Sequence, residues 1–309
     1  MPADVDLGKL GCAVGMSTPA SPPPPAATLI VRGARVALDG GPLLMGILNA
    51  TPDSFSDAGR YRTLGQRIDR GMQLIADGAD LIDVGGESAA TDTQAVSAEE
   101  EIARVVPVIE GLRSRGATLI SADTYKPDVA RAAIAAGASI VNDISGLRDP
   151  ALADVCAAHG AGLVVMHNRG VPKQRLVDPE RYADVVEDVL GFLTERTRQA
   201  ERRGMAPQSL IVDPGPDFSK TPAQTIQVLR NVRRIGELGY PVLMPISRKD
   251  FIGALLRRRP RARLAGTLAA LDHGMAAGAH IFRIHDVATA KQFIATRLAL
   301  GRRRTAAAR

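Results

Sequence analysis

Aromatic residues make up only 3% of this 309-residue chain, and cysteine occurs only twice. Cys12 falls in a polar leader and Cys156 on a helical pattern, with no metal-ligand spacing between them. Neither a disulfide framework nor a zinc site is expected, and Cys156 reads as a small core residue. No window approaches the roughly 18 uninterrupted apolar residues of a membrane helix, and the N-terminus lacks the charged and apolar regions of a secretory signal. The expectation is a cytoplasmic protein with no membrane partner. A nucleophile elbow, a cysteine nucleophile and the G-x-G-x-x-G fingerprint are missing as well, which disfavours covalent hydrolysis and dinucleotide binding. The formal charge of +6 permits attraction to anions, but the basic residues crowd into 257 to 263 and 301 to 304 without interleaved aromatics. That pattern argues against nucleic acid and reads the first run as a solvated loop.

What is present is a chain with 45% hydrophobic residues, enough to bury a sizeable core. Residues 1–27, with PASPPPPAA, read as a disordered Pro/Ala-rich leader, 28–300 as the folded domain and 301–309 as a basic tail. TLIVRGARVALDG, from residue 28, alternates apolar and polar positions on both sides of Arg32-Gly33 and predicts a short hairpin. From residue 43 a unit recurs: a helical pattern closes in Gly-Ala, and a short apolar run with a polar end follows. It reads DGADLIDVGG, RGATLISADT, AGASIVNDIS, HGAGLVVMHN and AGAHIFRIHD. Its glycines, Gly78, Gly116, Gly137, Gly160 and Gly278, suit the left-handed residue that ends a helix. LLMGILNA, SLIVDPG and PVLMPIS have the same apolar-then-polar form and bring the candidate strands to eight. The intervening segments look helical. In SAEEEIARVVPVIEGL, Ser97 and Glu100 suggest a capping box, and Pro127 and Pro150 each fit a first helical position. Eight strands alternating with helices predict an α/β fold, a (β/α)8 TIM barrel with a short N-terminal β-hairpin. A doubly wound open sheet is the alternative.

In such a barrel, function belongs at the C-terminal strand ends. These are Asn49, Asp83 to Glu87, Asp123, Asn142-Asp143, His167, Asp213, Ser247-Arg248-Lys249, and Arg283 with His285. Asp123, Asn142, Asp213 and Lys249 combine acceptors with donors and suit a flat heterocycle with a guanidine-like edge. Any one of them could instead cap a strand end. Arg283, His285, Arg248 and Asn49 suggest an anion such as a phosphate or diphosphate, and Asn49 could add an oxygen ligand for Mg2+. His159 and His273 read as capping or solvated residues, and His167 suits a site-lining or a structural role equally.

The blocks MGILNATPDSFSDAGR, GADLIDVGGES, SADTYKPDVA, IVNDISG, LVVMHNRG, DPGPDFSKT, SRKDFIG, GTLAAL and RIHDV resemble the dihydropteroate synthase family, in the family's order. The resemblance covers roughly residues 43 to 298 and extends to the hairpin. It implies a transferase of folate biosynthesis that joins 6-hydroxymethyl-7,8-dihydropterin diphosphate to 4-aminobenzoate, with Mg2+, as a homodimer. Matched motif by motif, it implies a pterin pocket of Asp123, Asn142, Asp213, Lys249 and Arg283. A diphosphate site of Asn49, Arg283 and His285 is implied in the same way, with Asn49 reaching the metal and Lys249, Arg283 and His285 as the catalytic group. Loops around 51–62 and 88–96 are expected to close over the site and complete the 4-aminobenzoate pocket.

Three departures fall on the second-substrate side. After GGES the family usually has Thr-Arg-Pro-Gly, where this chain has Ala89-Ala90-Thr91-Asp92. After SRK the family usually has a serine near the 4-aminobenzoate carboxylate, where this chain has Asp250, which would repel that carboxylate unless protonated or turned away. Asp217 and Ser219 stand where glycines are usual. Two readings follow: a dihydropteroate synthase, or a paralogue that binds the pterin diphosphate but uses another amine or is non-catalytic. A pterin-binding methyltransferase domain would not need the SRK and RIHD anion group.

Overall fold

The computed structural model describes residues 28–51, 63–87, 95–172 and 177–301. The expected leader, Cys12, residues 302 to 309 of the basic tail, the first loop from 52 to 62 and Ala89 to Asp92 lie outside the described residues.

The predicted hairpin is present as β1 (Thr28–Val31) and antiparallel β2 (Ala34–Ala37). Eight parallel strands follow: β3 (Leu43–Asn49), β4 (Leu81–Gly85), β5 (Ile120–Asp123), β6 (Ile140–Asp143), β7 (Gly162–Met166), β8 (Leu210–Asp213), β9 (Leu243–Met244) and β10 (Ile281–Ile284). Each pairs with its sequence neighbour from β3 to β8, and β10 pairs with both β3 and β9. A parallel bridge between Val212 and Val242 joins β8 to β9, so the ring is closed with helices between the strands. This is the (β/α)8 barrel, with every strand where the apolar runs placed it.

The five repeat glycines all have positive φ, from 63° at Gly160 to 121° at Gly137, as helix-closing residues require. Pro127 occupies the first turn of its helix, whereas Pro150 precedes Ala151–His159 as its N-cap residue. At Ser97 only half of the expected capping box forms. The hydroxyl accepts the Glu100 N–H, but the Glu100 carboxylate pairs with Arg104 one turn on, and an ion pair with a guanidinium outcompetes the return bond. Full capping boxes occur at Thr63–Gln66 and Thr221–Gln224.

Strand residues alternate between two apolar regions. Outward side chains, among them Ile82, Val84, Val141, Leu163, Val165, Met244 and Phe282, pack with the helices in one cluster. Met45, Leu81, Ile140, Val164, Ile211, Leu243 and Ile281, one from each of seven strands, form a second cluster with Leu29, Val31 and Leu38 of the hairpin segment. The hairpin therefore plugs the N-terminal end of the barrel. It is held there by Ser209 Oγ donating to Ile30 O at 2.7 Å and by Arg32 Nη1 donating to Ile134 O at 2.9 Å. Two residues after the inner apolar position, the same face becomes polar at Asp83, Asn142, Asp213 and Arg283. Each of these four strands thus contributes one side chain to the layer under the hairpin and one to the mouth.

Truncating the plug should cost stability without touching the opposite mouth. Leu29→Ala is expected to lower the unfolding free energy by about 3 kcal/mol, within the range of core leucine truncations. Urea titration followed by circular dichroism checks this, and a loss below about 1 kcal/mol would show that the hairpin does not seal the core.

Candidate active site

The polar ends of β4, β5, β6 and β10 meet across the barrel mouth. Arg283 Nε donates to Asp83 Oδ2 at 2.6 Å, and its Nη2 donates to Asp123 Oδ2 at 2.7 Å. Asn142 Nδ2 donates to the same Asp83 oxygen at 3.1 Å, so one carboxylate oxygen on β4 gathers a guanidinium from β10 and an amide from β6. Asp83 is fully buried, and its other oxygen, Oδ1, has no partner in the described structure. Asp83 was legible only as part of a strand end. The missed signal is its spacing, two residues after Leu81, as Asn142 follows Ile140 and Arg283 follows Ile281.

Burial pushes the Asp123 carboxyl well above the usual range, with Arg283 pulling it back and Asp83 adding to the rise. Burial likewise raises Asp213 to about 6, opposed by the Gly215 N–H and by Lys249 and Lys220. Gly215 lets the chain turn directly over β7, since a Cβ there would lie 2.1 Å from His167 O. Asp213 Oδ1 accepts the Gly215 N–H at 2.7 Å, which fixes the carboxylate at the head of its loop. Lys249 stands over the Phe218 ring with Nζ 4.4 Å from the centroid. Its ammonium is pulled down by burial and held up by Asp217 and Asp213. Asp123, Asn142, Asp213, Lys249 and Arg283 therefore share one mouth.

On the anion side the four candidates divide. Arg248, at φ 59°, spends its fork on Asp286, with bonds of 3.0 and 2.6 Å, and so ties the Ser247–Lys249 turn to the segment after β10. Arg283 is held by two carboxylates. His285 is left as a neutral group: burial first, then Arg248 and Arg283, push its imidazole down to about 3. Its backbone N–H donates to Ser247 Oγ at 3.1 Å, and Nδ1 lies 2.9 Å from the same oxygen. A Ser247 hydroxyl donating to Nδ1 leaves the ring proton on Nε2, a donor for an oxyanion. Asn49 ends β3 opposite Gly85 of β4. Among the described residues no three His, Cys, Asp or Glu side chains converge as a metal cluster. A single neutral oxygen at Asn49 suits Mg2+ that keeps most of its waters and is held chiefly by substrate phosphates.

Other residues prove to be supports. His167 is fully buried, between Asp188 at 2.8 Å and Lys220 Nζ at 2.7 Å, and burial pushes it down to about 4. Its role is structural. His159 bonds Val155 O within its own helix, and His273 bonds Leu229 O across to another. Cys156 is a buried core thiol, raised to about 12 by burial. The run 257–263 is not uniformly solvated, because Arg263 Nη1 bonds Arg248 O, Lys249 O and the Asp250 carboxylate. Asp250 is thereby turned toward Arg263. Lys126 Nζ joins Glu87 at 2.9 Å, Glu101 at 2.6 Å and Val96 O at 2.6 Å, fastening together the two ends of the loop after β4.

Fold and mouth define a barrel enzyme for a polar heterocycle, and the family model described as pterin binding enzyme matches residues 45–285. Dihydropteroate synthase of Bacillus subtilis (strain 168) is 44% identical over 247 residues, 79% of this chain and 84% of that protein. The structure of Xanthomonas albilineans dihydropteroate synthase with 4-aminobenzoic acid has a TM-score of 0.81 and 42% identity, covering 89% of this chain and 98% of that one. The same enzyme in complex with 7,8-dihydropteroate gives a TM-score of 0.78 at 40% identity, over 88% and 98% of the two chains. The chain belongs to the dihydropteroate synthase family of pterin-binding enzymes.

Removing the carboxylate at the centre of the mouth should leave a buried guanidinium short of one counter-charge. Asp83→Ala is expected to cost about 3 kcal/mol of stability, the low end for breaking a buried pair because Asp123 remains. Denaturant unfolding measures it, and a neutral substitution would show that Asp83 is dispensable to the network.

Proposed function

We propose that the chain condenses 6-hydroxymethyl-7,8-dihydropterin diphosphate with 4-aminobenzoate to give dihydropteroate and diphosphate. The observation that carries this reading is the convergence of Asp83, Asp123, Asn142, Asp213, Lys249 and Arg283 on one mouth. Carboxylates there accept the amino and ring N–H groups of the pterin edge, while Asn142 and Lys249 donate to its acceptors. Arg283, already oriented by two carboxylates, offers a guanidinium face to the ring.

The reaction forms a bond from the amine nitrogen to the pterin methylene carbon. The carbon–oxygen bond to the diphosphate breaks, the diphosphate leaves with the electron pair, and the amine gives up a proton. Protein groups mainly align the two substrates and receive the departing charge. His285 Nε2–H and Asn49 lie on the leaving-group side, with Arg283 between the two sites. Asn49 would be the protein ligand for Mg2+, a cation that would supply counter-charge for the departing diphosphate. A homodimer, supported by the resemblance of the motif blocks, is part of the same reading, as is a cytoplasmic location. No helix among the described residues is long and apolar enough to cross a membrane.

Purified protein incubated with Mg2+, the pterin diphosphate and 4-aminobenzoate should release diphosphate and dihydropteroate in equal amounts. Saturable pterin diphosphate binding without product, beside a working synthase as control, would sink the assignment.

A pH dependence follows from Asp123 and Asp213. With burial raising them to about 7 and about 6, both carboxylates are acceptors at pH 8, and both are neutral acids once the pH falls below about 6. Pterin affinity measured by calorimetry should therefore weaken as pH falls from 8 through about 6. A flat profile would remove Asp213 from the pocket.

A further inference from the structure

Five arginines stand in the seven residues RRRPRAR, 257 to 263, and neither the heterocycle group nor the anion group uses any of them. The helix Asp250–Leu256 starts beside Lys249 and is closed by Arg257, which takes the left-handed conformation at φ 51°. A short helical turn, Pro260–Ala262, then brings the chain to Arg263, the N-cap of Leu264–Ala277. Arg263 staples this excursion to the mouth. Its Nε donates to Arg258 O at 2.8 Å, while Nη1 donates to Arg248 O at 2.9 Å and to Lys249 O at 3.0 Å. Gly253 leaves room for the guanidinium, since a Cβ there would lie 2.1 Å from Nη2. One planar group therefore holds residue 258 against the turn that carries Lys249, and the basic segment stands beside the site.

The charges on that segment are used unequally. Arg263 pairs with Asp250. Arg258, Arg259 and Arg261 are exposed and form no ion pair among the described residues. Neighbouring carboxylates are committed elsewhere, Asp286 to Arg248 and Asp217 to the Asp250 and Phe251 N–H groups. Three uncompensated cations on a fixed segment give the approach to the mouth a positive potential. Exposed arginines add little to stability, because water screens each short-range contact. Their field still acts at a distance, over a Debye length of about 10 Å at 0.1 M salt and about 30 Å at 0.01 M.

We propose that Arg258, Arg259 and Arg261 form an electrostatic guide, a surface that draws a polyanionic diphosphate ester toward the mouth and sets its rate of arrival without holding it once bound. This rests on the reading of the chain as a synthase. It places a capture step ahead of the pterin and diphosphate sites. Charges of this kind speed association and give it a salt dependence, whereas contacts made in the complex govern dissociation.

The test is stopped-flow binding of the pterin diphosphate to the full chain with Mg2+ and no amine, so that no turnover follows. The triple variant Arg258→Gln, Arg259→Gln, Arg261→Gln should associate about tenfold more slowly than the unsubstituted chain at about 10 mM ionic strength. At about 0.5 M salt the two rates should agree within about twofold, because the field is screened. Dissociation of the diphosphate, and association of the uncharged 6-hydroxymethyl-7,8-dihydropterin, should be the same for both proteins. Lysine at the same three positions keeps the charge and should restore the fast rate. Equal association rates at low ionic strength overturn the proposal. So does a deficit that persists in high salt, that the uncharged pterin shares, or that lysine fails to restore, since each marks a direct contact or a packing defect. Failure of the unsubstituted chain to bind the pterin diphosphate at any salt would instead overturn the synthase reading, and the proposal with it.

Discussion

The bridge from Arg283 to Asp83 and Asp123 is the interaction on which the rest of the site depends. It links β10 to β4 and β5 across the barrel mouth, through bonds of 2.6 and 2.7 Å. Asn142 joins from β6 through the same Asp83 oxygen. A buried ion pair is weak evidence for stability, since desolvation offsets most of its attraction, but it fixes geometry with little freedom. Here the geometry is the product: acceptors and donors held in place before any heterocycle arrives. The cost is carried by the apolar layers on the outer face and by the hairpin plug at the far end.

Around that bridge, the loops are fastened by chains of polar bonds more than by apolar contact. Lys220 closes the loop after β8 on itself, and the Arg248–Asp286 fork ties the turn after β9 to the segment after β10. Lys126 gathers Glu87, Glu101 and Val96 at the base of the loop after β4. Arg248 and Lys126 bridge segments distant in sequence. A guanidinium or ammonium can serve several carbonyls and carboxylates at once, which suits the crowded end of a barrel. Two sides of the mouth result, one specified closely for a heterocycle and one on which this chain carries its own acidic residues.

The strands and most of the heterocycle group were legible because both follow from local pattern. Gly-Ala followed by an apolar run marks a helix end and a buried strand, and the polar residue at the end of such a run marks the mouth. Asp123, Asn142, Asp213 and Lys249 could be read in this way, and Asp83 could have been, from its spacing to Leu81. Arg248 and Arg263 could not. Both are arginines in basic surroundings, and only their partners, Asp286 and the Arg248–Asp250 segment, distinguish a structural clamp from an anion ligand or a solvated charge.

The sequence by itself determined the barrel, its hairpin and the motif blocks of the family, because alternation, helix-closing glycines and residue order are properties of neighbouring residues. Tertiary structure alone decided which charges are spent and which remain. Arg283 meets Asp83 from 200 positions away, and Asp217 caps a helix 33 positions along the chain. An ion pair or a cap depends on distance in space, and that distance is set only when the ring of strands closes.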